Sequence, residues 1–297
     1  MWLGDFLAQR GYIVAAVNHH GNTAAGDQIL AQGFALVWER PEDLTAVLTK
    51  LLADPVFGNQ IHPNRIGAVG HSAGGANVVQ LAGGIYDSDA LIAFCNSPES
   101  QGDATCEPRD LIKQALAHIA ELKTTDPVVQ ESFRYEKESH RDPRVKASSL
   151  WAPAIGPGFT QSNLAPIHIP VQIVVGDADD TAPPTTNAAH YAKLIKGAKL
   201  TVLPHVGHST FGSECTQLGE KELPTLTAPS STPRKTSKSL PSSRASGTKI
   251  SNAAHLGIDS TRPEGRTLDL WRRRQLISSG CPYKPKLDGD NFVIAAL

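Results

Sequence analysis

Between residues 12 and 203, short apolar runs rich in β-branched residues alternate with longer amphipathic stretches. This alternation limits the chain more than any other feature. Successive strands that run the same way need a crossover of a dozen or more residues, and here the crossovers read as helices. The strand candidates are Tyr12 to Val17, Arg65 to Gly70, Val145 to Trp151, Val171 to Val175 and Leu200 to Leu203. Leu3 to Arg10 reads as a helix stopped by Gly11. Pro41 to Leu52 reads as another, with proline at its start, acids after it, and Leu44, Val47, Leu48, Leu51 and Leu52 on one face. Ala73 to Leu81 and Pro183 to Ile195 complete the crossovers. The pattern predicts an α/β protein: a mostly parallel sheet with helices on both faces.

Two segments break the pattern. Residues 86–140 hold helix candidates at Arg109 to Leu122 and Asp126 to Arg134, and are expected to form an insertion over the carboxyl edge of the sheet, where α/β enzymes select substrates. From Pro224 to Asn252 serine, threonine, proline and basic residues dominate and no acid occurs. Such a composition cannot bury enough apolar surface to offset its ordering entropy. The expected organisation is therefore one α/β domain over 1–222 and a largely disordered tail over 223–297. The Arg272-Arg273-Arg274 run within that tail reads as a solvated face.

Composition narrows the function classes. The chain has 297 residues, 40% of them hydrophobic, and a formal net charge of −1. A sizeable core is within reach, and nothing suggests a nucleic-acid partner or an anionic membrane surface. No apolar run approaches the ~20 residues of a membrane span. The opening residues lack the charged start and apolar core of a secretory signal, so a cytoplasmic location is expected from the sequence as written. The cysteines at 95, 106, 215 and 281 form no Cys-x-x-Cys pair, which argues against a zinc or dithiol redox site. Cys95 and Cys106 are open to two readings, a bridge across a loop or two free buried thiols.

The chemistry concentrates at Gly70-His71-Ser72-Ala73-Gly74-Gly75, which follows a strand and opens a helix. A Gly-x-Ser-x-Gly segment in that setting forces a sharp turn, strains Ser72 and lifts its hydroxyl above the sheet. Gly70 and Gly74 are expected to let neighbouring backbone approach closely. The Ala73 N–H, at the positive end of the helix, points to where an oxyanion would form. Serine needs a base, and the base an orienting acid. The loop Gly176-Asp177-Ala178-Asp179-Asp180 offers Asp179; Asp177 lies too near the strand end, and Asp180 reads as a helix cap. The loop Pro204-His205-Val206-Gly207-His208 offers His208, whereas His205 is too close to the strand to swing over the sheet. The adjacent pair His19-His20 has no partner at metal-ligand spacing and reads as surface or core.

These segments, with Asn18-His19-His20-Gly21-Asn22-Thr23, Thr181-Ala182-Pro183-Pro184 and Val206-Gly207-His208, resemble the bacterial predicted dienelactone hydrolases, α/β-hydrolases related to the platelet-activating-factor acetylhydrolase group. The resemblance runs over about residues 3 to 222. It implies a Ser72–His208–Asp179 triad acting on a small-molecule carboxylic ester, lactone or thioester, with no metal and no organic cofactor. The dienelactone enzymes use a cysteine nucleophile, where this chain has Ser72. Relatives carry earlier strands, one of them between the strands read here at Tyr12 and Arg65, and its loop supplies a second oxyanion N–H. A gap in the sheet is therefore expected, with a loss of about 10²–10³ in rate from the missing donor. The alternative that follows is a truncated, non-catalytic remnant, and the tail reads like translation in a wrong frame or through an intron. A full-length relative could be exported.

Overall fold

The computed structural model describes residues 2–22, 30–107, 110–212 and 294–296. Helix α1 (Trp2–Ala8) ends before Gly11, whose φ of +83° turns the chain into β1 (Ile13–Ala15). A short α2 (Ala31–Ala35) follows, seated where Gly33 meets the backbone of His20 and Gly21 too closely for any side chain. In α3 (Arg40–Ala53), Pro41 sits in the first turn with Glu42 and Asp43, Lys50 sits in the last, and Leu44, Leu48 and Leu51 are buried. Strand β2 (Ile66–His71) passes through Ser72 into α4 (Ala73–Leu81).

Among the described residues, the segment 86–140 holds three α-helices. Asp87 caps α5 (Ser88–Cys95) by accepting from the Asp89 and Ala90 N–H groups at 3.0 and 3.3 Å, and Asp126 caps α7 (Pro127–Tyr135) in the same way. Between them α6 (Asp110–Thr125) packs on α2 and α7. Trp38 anchors the group: its ring lies 4.9 Å from that of Phe133, and its Nε1–H donates to Ser132. Cys95 and Cys106 are joined in a disulfide, which selects the bridge over the free thiols. The bridged loop is tied to residues 186–187, where the Thr186 hydroxyl donates to Asp103 at 2.6 Å and the Asn187 amide donates to Thr105 at 3.0 Å.

The chain then returns to the sheet with β3 (Ala147–Trp151), α8 (Gln161–Leu164), β4 (Val171–Gly176), α9 (Ala188–Leu194) and β5 (Lys199–Leu203). The entry to β3 is pinned by Asp142, which accepts from Arg144 and from Thr45 on α3. The Arg144 bonds hold the Asp142 carboxyl below its ordinary range in spite of burial, which pushes the other way.

Strands β2, β3, β4 and β5 are parallel neighbours, in the order β2-β3-β4-β5. Leu150 and Ile173, opposite one another on β3 and β4, have no solvent exposure. Helix α4 packs on β2 and β3, and α9 on β4 and β5. Val78, Val79, Leu81, Phe159 and Tyr191 fill the layers between.

Several expectations are corrected. The place beside the Tyr12 strand is not a gap. A strand β6 (Ile294–Ala296) lies between β1 and β2, antiparallel to both: Ile13 and Ile66 both face Ala296, and Ala15 and Ala68 both face Ile294. The tail therefore contributes a strand to the sheet, because two parallel strands two spacings apart present unpaired N–H and C=O groups that any extended segment of backbone can satisfy. The rest of the tail, with Pro224 to Asn252, Arg272-Arg273-Arg274 and Cys281, lies outside the described residues, as do Cys215 and Arg109. The helix expected from Pro183 starts only at Ala188. Pro184 disfavours helical backbone at Pro183, and residues 183–187 form a turn instead. Asp180 consequently caps nothing, and Asn187 precedes the helix.

Candidate active site

The site stands where β2 ends. Ser72 has φ 58° and ψ −124°, a conformation costly for any residue with a Cβ. It is held there by its neighbours: its N–H donates to the Trp151 carbonyl, and its own carbonyl accepts from the Gly75 and Ala154 N–H groups. The close approach expected of Gly70 and Gly74 belongs to Gly70 and Gly75. A Cβ on Gly70 would lie 2.1 Å from the Gly74 oxygen, and one on Gly75 would lie 2.9 Å from Pro153, whereas one on Gly74 would meet nothing. Ala73 opens α4, where helix geometry leaves its N–H without an intrahelical acceptor.

Two loops bring the other members. After β4 the chain turns at Gly176, against which the Val206 carbonyl packs too tightly for a side chain. Asp179 is then buried in the loop, and its Oδ1 accepts from the Thr181 and Ala182 N–H groups at 3.1 and 2.8 Å. These bonds leave Oδ2 free to accept from His208 Nδ1 at 2.8 Å. Asp177 has a different task, accepting from the His205 N–H and so fixing the base of the His loop. His205 itself is exposed at φ 60°. His208 opens a 3₁₀ turn, His208–Phe211, and its Nε2 lies 2.9 Å from Ser72 Oγ. The structure thus brings Ser72, His208 and Asp179 into one hydrogen-bonded series, from Asp179 Oδ2 to His208 Nδ1 and from His208 Nε2 to Ser72 Oγ.

Behind His208 lies an aromatic group that the sequence reading did not single out. The His71 ring is 4.8 Å from that of His208 and 5.9 Å from Phe211. Trp151 is 5.8 Å from Phe211 and 5.4 Å from Trp2, whose Nε1–H donates to the Phe211 carbonyl at 3.0 Å. Burial, then the neighbouring His208, lowers the pKa of His71 to about 4. His19 is not part of this assembly: its Nδ1 pairs with Asp43 at 2.8 Å. Among the described residues no cluster of three or more His, Cys, Asp or Glu side chains could hold a metal ion, and no helix is long and apolar enough to cross a membrane.

A strained serine at a strand-to-helix turn, on a parallel sheet with two loops converging on it, is the arrangement of a hydrolase. Residues 1–218 match the alpha/beta hydrolase family, and the chain belongs to that family. It is also similar to Lipase 1 of Moraxella sp. (strain TA144), 33% identical over 81 residues that make up 27% of this chain and 22% of the lipase. Among solved structures, an alpha/beta hydrolase fold protein from Nakamurella multipartita is 18% identical, with a TM-score of 0.33 over 70% of this chain and 80% of that one. A CIB-like hydrolase from Thermoplasma acidophilum is 15% identical, with a TM-score of 0.29 over 58% of this chain and 52% of that one. The chain therefore spans about a fifth of the length of the curated relative it matches and about half of the Thermoplasma chain.

Proposed function

We propose that this hydrolase cleaves carboxylic esters, in the manner of the dienelactone-hydrolase-like group, through Ser72, His208 and Asp179. The observation that carries the reading is the unbroken series Asp179 Oδ2, His208 Nδ1, His208 Nε2 and Ser72 Oγ, with links of 2.8 and 2.9 Å. Ser72 Oγ adds to the ester carbonyl as His208 Nε2 takes its proton. The negative charge that forms on the carbonyl oxygen faces the Ala73 N–H at the head of α4. The tetrahedral intermediate collapses by breaking the bond to the alcohol oxygen, which takes the proton back from His208. Water then repeats the two steps on the acyl-enzyme, releasing the acid and restoring Ser72. Asp179 keeps the imidazole in the tautomer that accepts at Nε2 and stabilises the imidazolium between steps. Lactones and thioesters are open to the same attack. The 81-residue similarity to a lipase supports ester cleavage.

The helical segment over residues 86–140 stands as the substrate-selecting element and residues 1–222 as the catalytic unit. The Cys95–Cys106 bridge is of a kind that persists where thiols are not kept reduced, which supports export over the cytoplasmic location expected from the opening residues.

The test is incubation of the purified protein with a fluorophosphonate probe and with p-nitrophenyl acetate. Labelling and turnover that disappear in Ser72→Ala, with the melting temperature retained, are expected. A folded chain that takes no label is the result predicted by the remnant reading and removes the proposal.

A further inference from the structure

We propose that His71 is a positioning residue: it holds the backbone of the His208–Phe211 turn so that the imidazole of His208 faces Ser72. This rests on the reading of Ser72 and His208 as nucleophile and base.

The argument starts from a single hydrogen bond. His71 Nε2 lies 3.0 Å from the carbonyl oxygen of His208. A carbonyl only accepts, so Nε2 carries the proton and the His71 ring is the donor. The residue that donates is the last of β2, and its backbone is fixed by pairing with Trp151 on β3. The next residue along the chain is Ser72. One strand end therefore sets two things at once: where the nucleophile stands, and where the peptide group carrying the base is tied. The tie spans 137 positions of sequence and makes the distance from Ser72 to His208 depend on the end of one strand rather than on the path of a long loop.

The ring adds a second contact, lying 4.8 Å from the ring of His208 at an angle of 42°. It thus covers one side of the imidazole. The depressed pKa of His71 fits the role, because a neutral ring adds no second positive charge beside His208 when that residue holds the serine proton. The other end of the turn is tied by a like donor, Trp2 Nε1–H on the Phe211 carbonyl. Two ring N–H groups, from two separate elements, therefore hold the two end carbonyls of the catalytic turn.

Replacement of His71 by phenylalanine keeps an aromatic ring and removes the donor; glutamine keeps a donor and removes the ring. If the bond positions the base, His71→Phe lowers kcat and the rate constant of fluorophosphonate labelling by about five- to tenfold while KM moves less than about twofold, the loss expected of one hydrogen bond felt mainly in the chemical step. His71→Gln then recovers most of that loss. Should His71→Phe not fold, His71→Asn, whose amide is too short to reach the His208 carbonyl, takes its place. Labelling of His71→Phe at the wild-type rate overturns the proposal. So does an equal loss in the phenylalanine and glutamine variants that tracks their melting temperatures, since that is the mark of packing alone. A wild-type chain that takes no label removes the assigned function and this proposal with it, whereas a labelled wild type with an equally reactive His71→Phe removes only this one.

Discussion

Acid should loosen this fold through one identifiable residue. His71 has a pKa of about 4 in the folded chain, because burial and then the nearby His208 disfavour its charged form, against the opposing pull of the His208 carbonyl and Asp179. An unfolded histidine titrates near 6.5. The folded state therefore refuses a proton that the unfolded state accepts between those values. Stability is intact above about pH 6.5 and falls as the pH drops toward 4, by up to about 1.4 kcal/mol per pH unit. Between pH 7.5 and 4.5 the loss from this residue comes to roughly 2.5 kcal/mol. Urea denaturation of the wild type and His71→Phe across that range, at constant ionic strength, isolates the term. Groups that do not interact with His71 contribute equally to both proteins and cancel in the difference, and the phenylalanine contributes no proton. The variant should gain on the wild type by about 2.5 kcal/mol as the pH falls to 4.5. A stability difference that stays constant within about 0.5 kcal/mol over the same range would refute the placement of a neutral, buried ring behind His208.

Other substitutions probe other links. Asp179→Asn should lower kcat by about 10³–10⁴ with little change in KM, since an amide can hold His208 in the wrong tautomer; stopped-flow or steady-state kinetics on p-nitrophenyl acetate measure this. Gly70→Ala sets a methyl 2.1 Å from the Gly74 carbonyl and should cost more than about 2 kcal/mol in denaturant unfolding, whereas Gly74→Ala meets open space within a helix and should be neutral or stabilising by up to about 1 kcal/mol. Arg144→Met leaves Asp142, whose side chain is 1% exposed, without its main partner, and should lower stability by about 3–5 kcal/mol at neutral pH. Ala295→Pro removes a ladder donor from β6, so hydrogen exchange at Val14 and Gly67, the residues paired with Ala295, should accelerate before exchange elsewhere in the sheet.

Most of the candidate site's geometry was legible in the sequence because it is local. The strand, the tight turn and the helix around Ser72 are written within about a dozen residues, and the loops carrying Asp179 and His208 each follow a strand with β-branched periodicity. Element ends were less legible: Pro183-Pro184 read as a helix start, but the restriction that a proline places on the residue before it delays α9 to Ala188. Three features were hidden for a common reason. The His71 tie to His208, the Trp2 bond to Phe211 and the seat of Ile294–Ala296 are contacts between segments far apart in sequence. His71 looked like the variable position of a Gly-x-Ser-x-Gly segment, and nothing in its neighbours names the carbonyl it meets. The three-residue β6 is too short for any periodicity to show, and its partners are chosen by the unpaired edges it finds.

That last strand also shapes how the chain comes to be folded. Ile13 pairs with Ala296, 283 positions away, whereas Gly67 pairs with Ala147, only 80 away. By loop-closure entropy the longer link costs only about 1 kcal/mol more, so the finished sheet loses little from it. The delay is of another kind. A ribosome exposes β1 and β2 long before it has made residues 294–296, and through that interval two bare sheet margins face one another with nothing between them. At about 5–20 residues per second the wait lasts tens of seconds, long enough for another nascent chain to lodge in the opening. Yield in the cell should then depend on holding factors and on translation speed, even where the completed molecule is sound.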